Sequence, residues 1–135
     1  MDIQTVHKLE QAVIHLLLID GWELTWTGED MSHCDAIGIT PKGHTCAMEM
    51  KFRKKYYETK MLEKYKYDRL MEMEQDVKLY FVNDPRGNYL FWLNEIEMPP
   101  SQDMWCPNTT MWDGQKKIKP CYLLQEDKAA IINKY

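Results

Sequence analysis

Between Cys34 and Phe52 the chain alternates in a way that leaves few folds open. Cys34-Asp35-Ala36-Ile37-Gly38-Ile39-Thr40 is followed by a turn at Pro41-Lys42-Gly43, then by Cys46-Ala47-Met48-Glu49-Met50-Lys51-Phe52. The spacing predicts two short strands joined as a hairpin. In the second strand Cys46, Met48, Met50 and Phe52 form one apolar row, and Glu49 and Lys51 share the opposite row. Two charges in the middle of a half-buried strand need a reason. One is a solvated face carrying a surface ion pair, which contributes little. The other is chemistry. An Asp, a Glu and a Lys converging on one side of a sheet are the minimum equipment for metal-assisted phosphodiester cleavage.

The triplet acid-x-Lys is not informative by itself. It occurs at Glu49-Met50-Lys51, Glu58-Thr59-Lys60, Asp76-Val77-Lys78 and Glu126-Asp127-Lys128, in a chain with 21 acids and 17 bases. Only the first copy sits in a strand with an apolar row. Upstream, residues 3–19 read as a helix in which Val6, Val13, Ile14 and Leu17 make an apolar stripe. Glu10 falls inside that stripe, where an ionised carboxylate is costly unless it is paired or binds a metal. A Glu at the stripe's edge that reaches water is the alternative.

The helix stops at Asp20-Gly21. Alternation then predicts a strand over 22–27, the hairpin strands over 35–40 and 45–52, and a second helix over 56–75. A fourth strand follows at 77–83, a turn at Asp84-Pro85-Arg86-Gly87-Asn88, and a fifth strand at 89–96. Helix, three strands, helix, strand, with Asp35, Glu49 and Lys51 on the hairpin, resembles the PD-(D/E)xK nuclease superfamily. Cys34 stands where that motif's name has Pro. The resemblance covers roughly residues 1–96.

It implies an α+β fold with a restriction-endonuclease-like core and a mixed central sheet. It also implies a nuclease that uses Mg²⁺ or Mn²⁺ to hydrolyse phosphodiesters, DNA ahead of RNA. Asp35, Glu49 and Lys51 would be catalytic. Asp35, Glu49, the Met50 carbonyl and Glu10 would supply oxygen ligands, as hard divalent cations prefer, and Lys51 would position water or stabilise developing charge. Compact members of this kind include junction-resolving and phage-encoded nucleases. Junction resolution needs a two-fold dimer, for which Tyr89, Phe91 and Trp92 are candidate contacts if they are not core. A nuclease-fold protein that binds nucleic acid or inhibits a protein partner without cutting is the alternative function.

Net charge is −4, which does not advertise a nucleic-acid binder, but the charge is unevenly spread. From Lys51 to Arg69 there are eight cations against three acids, with Tyr56, Tyr57, Tyr65 and Tyr67 among them. Cations neutralise phosphates and tyrosines stack on splayed bases. Arg53 and Lys54 open this tract. On the expected second helix Lys60, Lys64 and Tyr67 share an exposed face, while Leu62, Tyr65, Leu70 and Met73 pack. Arg69 lies in that packing stripe and either snorkels or points into a polar pocket.

At 135 residues with 44% hydrophobic content, one domain is expected. The longest apolar run, within 12–19, is short and broken by His15, so no membrane partner is expected and the setting reads as cytoplasmic. Cysteines at 34, 46, 106 and 121 read as reduced thiols. His33-Cys34 and His44-Thr45-Cys46 match no common structural zinc spacing. Residues 97–135 read as an irregular extension with a short helix over 126–133. There Thr109, Thr110, Lys116, Lys117 and Lys119 could wall a phosphate path, or Trp105 and Trp112 could simply cover a sheet edge.

Overall fold

The computed structural model describes residues 1–29, 33–107 and 116–135. Its helix α1 spans Ile3–Ile19, started by the Asp2 side chain, which accepts a hydrogen bond from the Thr5 amide at 2.8 Å. The helix ends at Asp20, and Gly21 takes a φ of 90°, a conformation that favours glycine. The strands β1 (Glu23–Trp26), β2 (Ala36–Ile39) and β3 (Thr45–Phe52) follow as an antiparallel meander. Gly38 is required there, because a Cβ on it would meet the Glu23 carbonyl oxygen at 1.8 Å.

After β3 the chain departs from the expected single helix over 56–75. It forms strand β4 (Thr59–Glu63) and then a short helix α2 (Lys64–Met71). Lys60 and Leu62 are the buried row of β4, alternating with Thr59, Met61 and Glu63. A strand in which one inward residue is lysine hides its two-residue period, and the leucine and tyrosine spacing downstream mimics a helical stripe. The chain then crosses back to β5 (Val77–Asp84), which lies parallel to β3, and turns into β6 (Gly87–Trp92).

Residues beyond 97 are also more regular than expected. They form β7 (Gln102–Pro107), β8 (Lys116–Gln125), a 3₁₀ turn η1 (Glu126–Lys128) and β9 (Ile131–Lys134), in place of the short helix over 126–133. The central sheet has the order β1-β2-β3-β5-β6-β9, mixed because β3 and β5 are parallel, and β4-β8-β7 make a second sheet. The α+β class with a mixed central sheet is therefore as expected.

Both faces of the central sheet are covered. On one, α1 packs Ile14 over Trp22, Leu24, Met48, Met50, Phe81 and Leu90. On the other, α2 and the second sheet bring Leu62, Leu70, Tyr122 and Leu124 against Ala47, Tyr80, Val82, Tyr89 and Phe91. Tyr89 and Phe91 are fully buried, so neither serves as a dimer contact, and Trp92 packs on Trp22 with ring centres 5.9 Å apart. All four cysteines are free thiols in the interior, Cys34 and Cys46 among the core residues. No helix among the described residues is long and apolar enough to cross a membrane.

Candidate functional site

The β2–β3 register pairs Ala36 with Met48, and continuing it by one residue sets Asp35 opposite Glu49. Two further bonds fix Asp35 there. Its amide donates to the Met48 carbonyl at 3.0 Å, and its Oδ2 accepts from the Met50 amide at 2.8 Å. In a strand the N–H and C=O of one residue point the same way, so the Met50 carbonyl also faces the Asp35 side. Glu49 is buried on the face covered by α2, beside Ala47, while Lys51, further along the same row, is exposed. Glu10 arrives from α1, only 4% exposed, with Oε1 accepting from the Trp26 indole at 3.0 Å. Of the two readings of Glu10, the buried one holds.

Three carboxyls so placed repel one another and lack water. Burial first, and then the Asp35 charge, push Glu49 up to about 8. Burial pushes Glu10 up to about 7 against the opposing effect of the Trp26 bond, with Asp35 adding to the rise. Asp35 is raised as well, chiefly by burial, with Glu10 an interacting neighbour. Negative charge is undercompensated here, which is the condition a bound cation relieves.

Lys66 of α2 was not singled out by sequence, yet it supplies the amine nearest these acids. Its Nζ lies 3.6 Å from Glu49 Oε1 and 3.5 Å from Glu63 Oε2. Burial pulls its pKa down, but Glu49, Glu63 and Asp35 outweigh this and leave it raised. Glu63 in turn accepts from Lys119 of β8 at 2.8 Å, so this acid is held below its usual range despite burial. Lys66 and Arg69 are three apart on α2 and share a face. With His33, Cys34, Asp35 and Glu49 they line a cleft of about 180 Å³. Arg69 contacts the His33 ring and Tyr65, so it points into the polar pocket.

Lys51 lies outside the lining of that cleft. It is exposed and makes no hydrogen bond or ion pair among the described residues. Desolvation, then the neighbouring Lys66 and Arg53 charges, lower its pKa. The sequence could have flagged Lys66 through its place in the cationic tract, but a helix expected to begin eight residues too early left its direction undetermined.

The other nominated cations scatter. Lys60 is a correction: it sits on β4, not on an exposed helical face, and is 1% exposed with its Nζ 2.6 Å from Asp84. Lys64 is partly exposed and paired with Asp68 at 2.6 Å. Tyr67 is a half-buried packing residue against Tyr122, with ring centres 5.1 Å apart. Arg53 is half-buried with Nη2 donating to the Met61 carbonyl at 3.4 Å, while Lys54 and Lys117 are exposed. Lys116 opens β8, with its side chain outside the described residues, as are Thr109, Thr110 and Trp112.

The donor set suits a hard divalent cation: carboxylate oxygens and a carbonyl, with no competing soft ligand required. Among the described residues, however, no group of three His, Cys, Asp or Glu side chains converges closely enough to hold an ion. Glu10 is turned to Trp26, Asp35 to the Met50 amide and Glu49 to Lys66. Occupation would require these carboxyls to reorient toward one another.

No family model and no curated protein matches the chain. Among solved structures it is similar to the Holliday junction resolvase Hjc of Archaeoglobus fulgidus, with a TM-score of 0.53 and 17% identity. The match covers 67% of this chain and 77% of that one. The fold is thus restriction-endonuclease-like, as the helix, hairpin and crossover order implied.

Proposed function

We propose that this protein is a divalent-metal-dependent nuclease that hydrolyses DNA phosphodiesters and selects DNA by its structure. The observation that carries the reading is the meeting of Asp35, Glu49 and Lys66 in one cleft on a restriction-endonuclease-like fold. Each is buried or half-buried at a cost that an isolated surface pair does not incur. The likeness to a junction resolvase supports branched DNA as the substrate class.

Asp35 and Glu49 would hold Mg²⁺ or Mn²⁺, with the Met50 carbonyl and Glu10 nearby. Such an ion, when bound, lowers the pKa of water and screens phosphate charge. The chain's own groups do the rest. Lys66 and Arg69 line the wall where a phosphate would enter, so they neutralise its charge and orient it. Were Glu49 to turn toward an ion, the Lys66 ammonium would keep Glu63 and be open to a phosphate oxygen. Lys51, exposed and without an ion pair among the described residues, is a second cation for the strand that enters.

The pairing of Glu49 with Lys66 favours one competing reading, a protein that binds DNA without cutting it. The test is cleavage of labelled single strands, duplex, flaps and a four-way junction in Mg²⁺, Mn²⁺ or EDTA. Cutting should need metal and fall at least about a thousandfold in Glu49→Gln and Asp35→Asn, a few kcal/mol of transition-state stabilisation. Lys66→Ala should lose more activity than Lys51→Ala. Folded wild type that cuts none of these DNAs, or folded Asp35→Asn that cuts normally, would rule the reading out.

A further inference from the structure

A groove of about 310 Å³ lies between the end of β3 and the β7–β8 hairpin. Its walls are Arg53, Tyr57, Met61, Met104, Trp105 and Leu123, with Thr59 beside them. Two rows of side chains lead to it from the acidic cleft. On β3 and its continuation, Glu49, Lys51 and Arg53 alternate onto one side, and on β4 so do Glu63, Met61 and Thr59. The rows are tied at both ends. Lys66 bridges Glu49 and Glu63 at 3.6 and 3.5 Å, and Arg53 Nη2 reaches the Met61 carbonyl at 3.4 Å. From Glu49 to Arg53 is about 13 Å of strand.

The groove's own chemistry is aromatic and cationic. Trp105 is 67% exposed and Tyr57 49%, so two aromatic rings beside one groove stand open to solvent. Lys55 sits over the Tyr57 ring, with Nζ 5.9 Å from its centre. Lys54 and Lys55 are exposed and make no ion pair among the described residues. A π-face flanked by unpaired cations complements a base and its phosphate, and it tolerates any base because every base has a π-face. An apolar peptide would leave those charges unmatched.

We infer that this groove seats an unpaired nucleobase of a DNA strand whose backbone runs along Lys51 toward the cleft, with Tyr57 and Trp105 as the stacking surfaces. The inference rests on the nuclease reading for the polarity of the path, and it narrows the substrate to DNA with unpaired nucleotides beside the cut, as at a branch or an overhang. Fully paired blunt duplex presents no base to the groove.

The test is binding, in EDTA so that no turnover intervenes. Affinity is measured by anisotropy for a labelled oligodeoxythymidine and for a blunt duplex of equal length. The wild type should prefer the single strand. Trp105→Ala and Tyr57→Ala should each weaken that binding roughly 5- to 100-fold, the range for loss of one stacked base. Trp105→Phe should retain most of it, and duplex affinity should change little. Folded Trp105→Ala and Tyr57→Ala proteins that bind the strand like wild type, or a wild type without single-strand preference, overturn the inference. Stacking-dependent binding without cleavage would keep the groove and discard the nuclease, and cleavage untouched by both aromatic variants would do the reverse.

Discussion

Glu49 shows how much a single side chain reveals when its neighbours are counted. Its carboxyl is pushed up to about 8 by burial and by Asp35, well above the ordinary carboxylate range. An acid with a raised folded-state pKa holds its proton longer folded than unfolded. Between the unfolded value, about 4.3, and about 8 the native state therefore binds more protons, and stability falls as pH rises. Glu10, at about 7, acts in the same direction. Thermal unfolding in EDTA should thus show a midpoint several degrees lower at the upper end of that window than at the lower. Glu49→Gln should flatten the dependence, and Mg²⁺ should restore the midpoint most at the alkaline end, where it binds ionised carboxylates. A midpoint that climbs with pH would mean that the cluster is not undercompensated.

At the scale of elements, β4 carries the clearest lesson. Its inward residue Lys60 pairs with Asp84 at 2.6 Å and lies against the Tyr56 and Tyr89 rings at 4.5 and 4.1 Å. Asp84 also accepts from the Arg86 and Gly87 amides at 2.8 and 3.1 Å, so one ion pair joins β4 to the β5–β6 turn. Lys60→Met would leave the Asp84 charge buried with no cation, a loss on the order of 3–5 kcal/mol that a shifted urea midpoint would report. The same lysine explains why β4 was illegible, since alternation is read from apolar residues. The apolar stripe predicts helix α1 over the residues it spans, and alternation predicts β1, β2, β3, β5 and β6 nearly so, because their apolar periods are unbroken, whereas β9 falls where a helix is expected. Asp35, Glu49 and Glu10 stood out as charges set against such periods. Lys66 did not, because nothing in its own neighbourhood fixes the direction of a short helix that follows a disguised strand. Of β8 only the apolar Tyr122-Leu123-Leu124 reads as a strand in sequence, and β7 does not, since the rest gains its regularity by pairing of β8 with β4 and of β7 with β8.

The whole molecule is acidic, yet the path along β3 to the groove is cationic, so net charge misleads about its surface. If that path carries DNA, binding must weaken with salt. Replacing Lys54 and Lys55 together by Gln should lower the slope of log K against log salt by about 1.4, at roughly 0.7 per phosphate on a single strand. An unchanged slope across a salt titration would move the path elsewhere. The parallel alignment of β3 with β5 has a further consequence, for the life of the chain before it is finished. Asp35 and Glu49 can meet as soon as their hairpin closes, a local event. Lys66 reaches them only after α2 has packed against β3, β4 and β8, and non-local pairings of this kind form late. On the proposed nuclease reading, a half-folded copy in which α2 has not docked would hold its acids without their cation, so the site would be completed only when the crossover is packed.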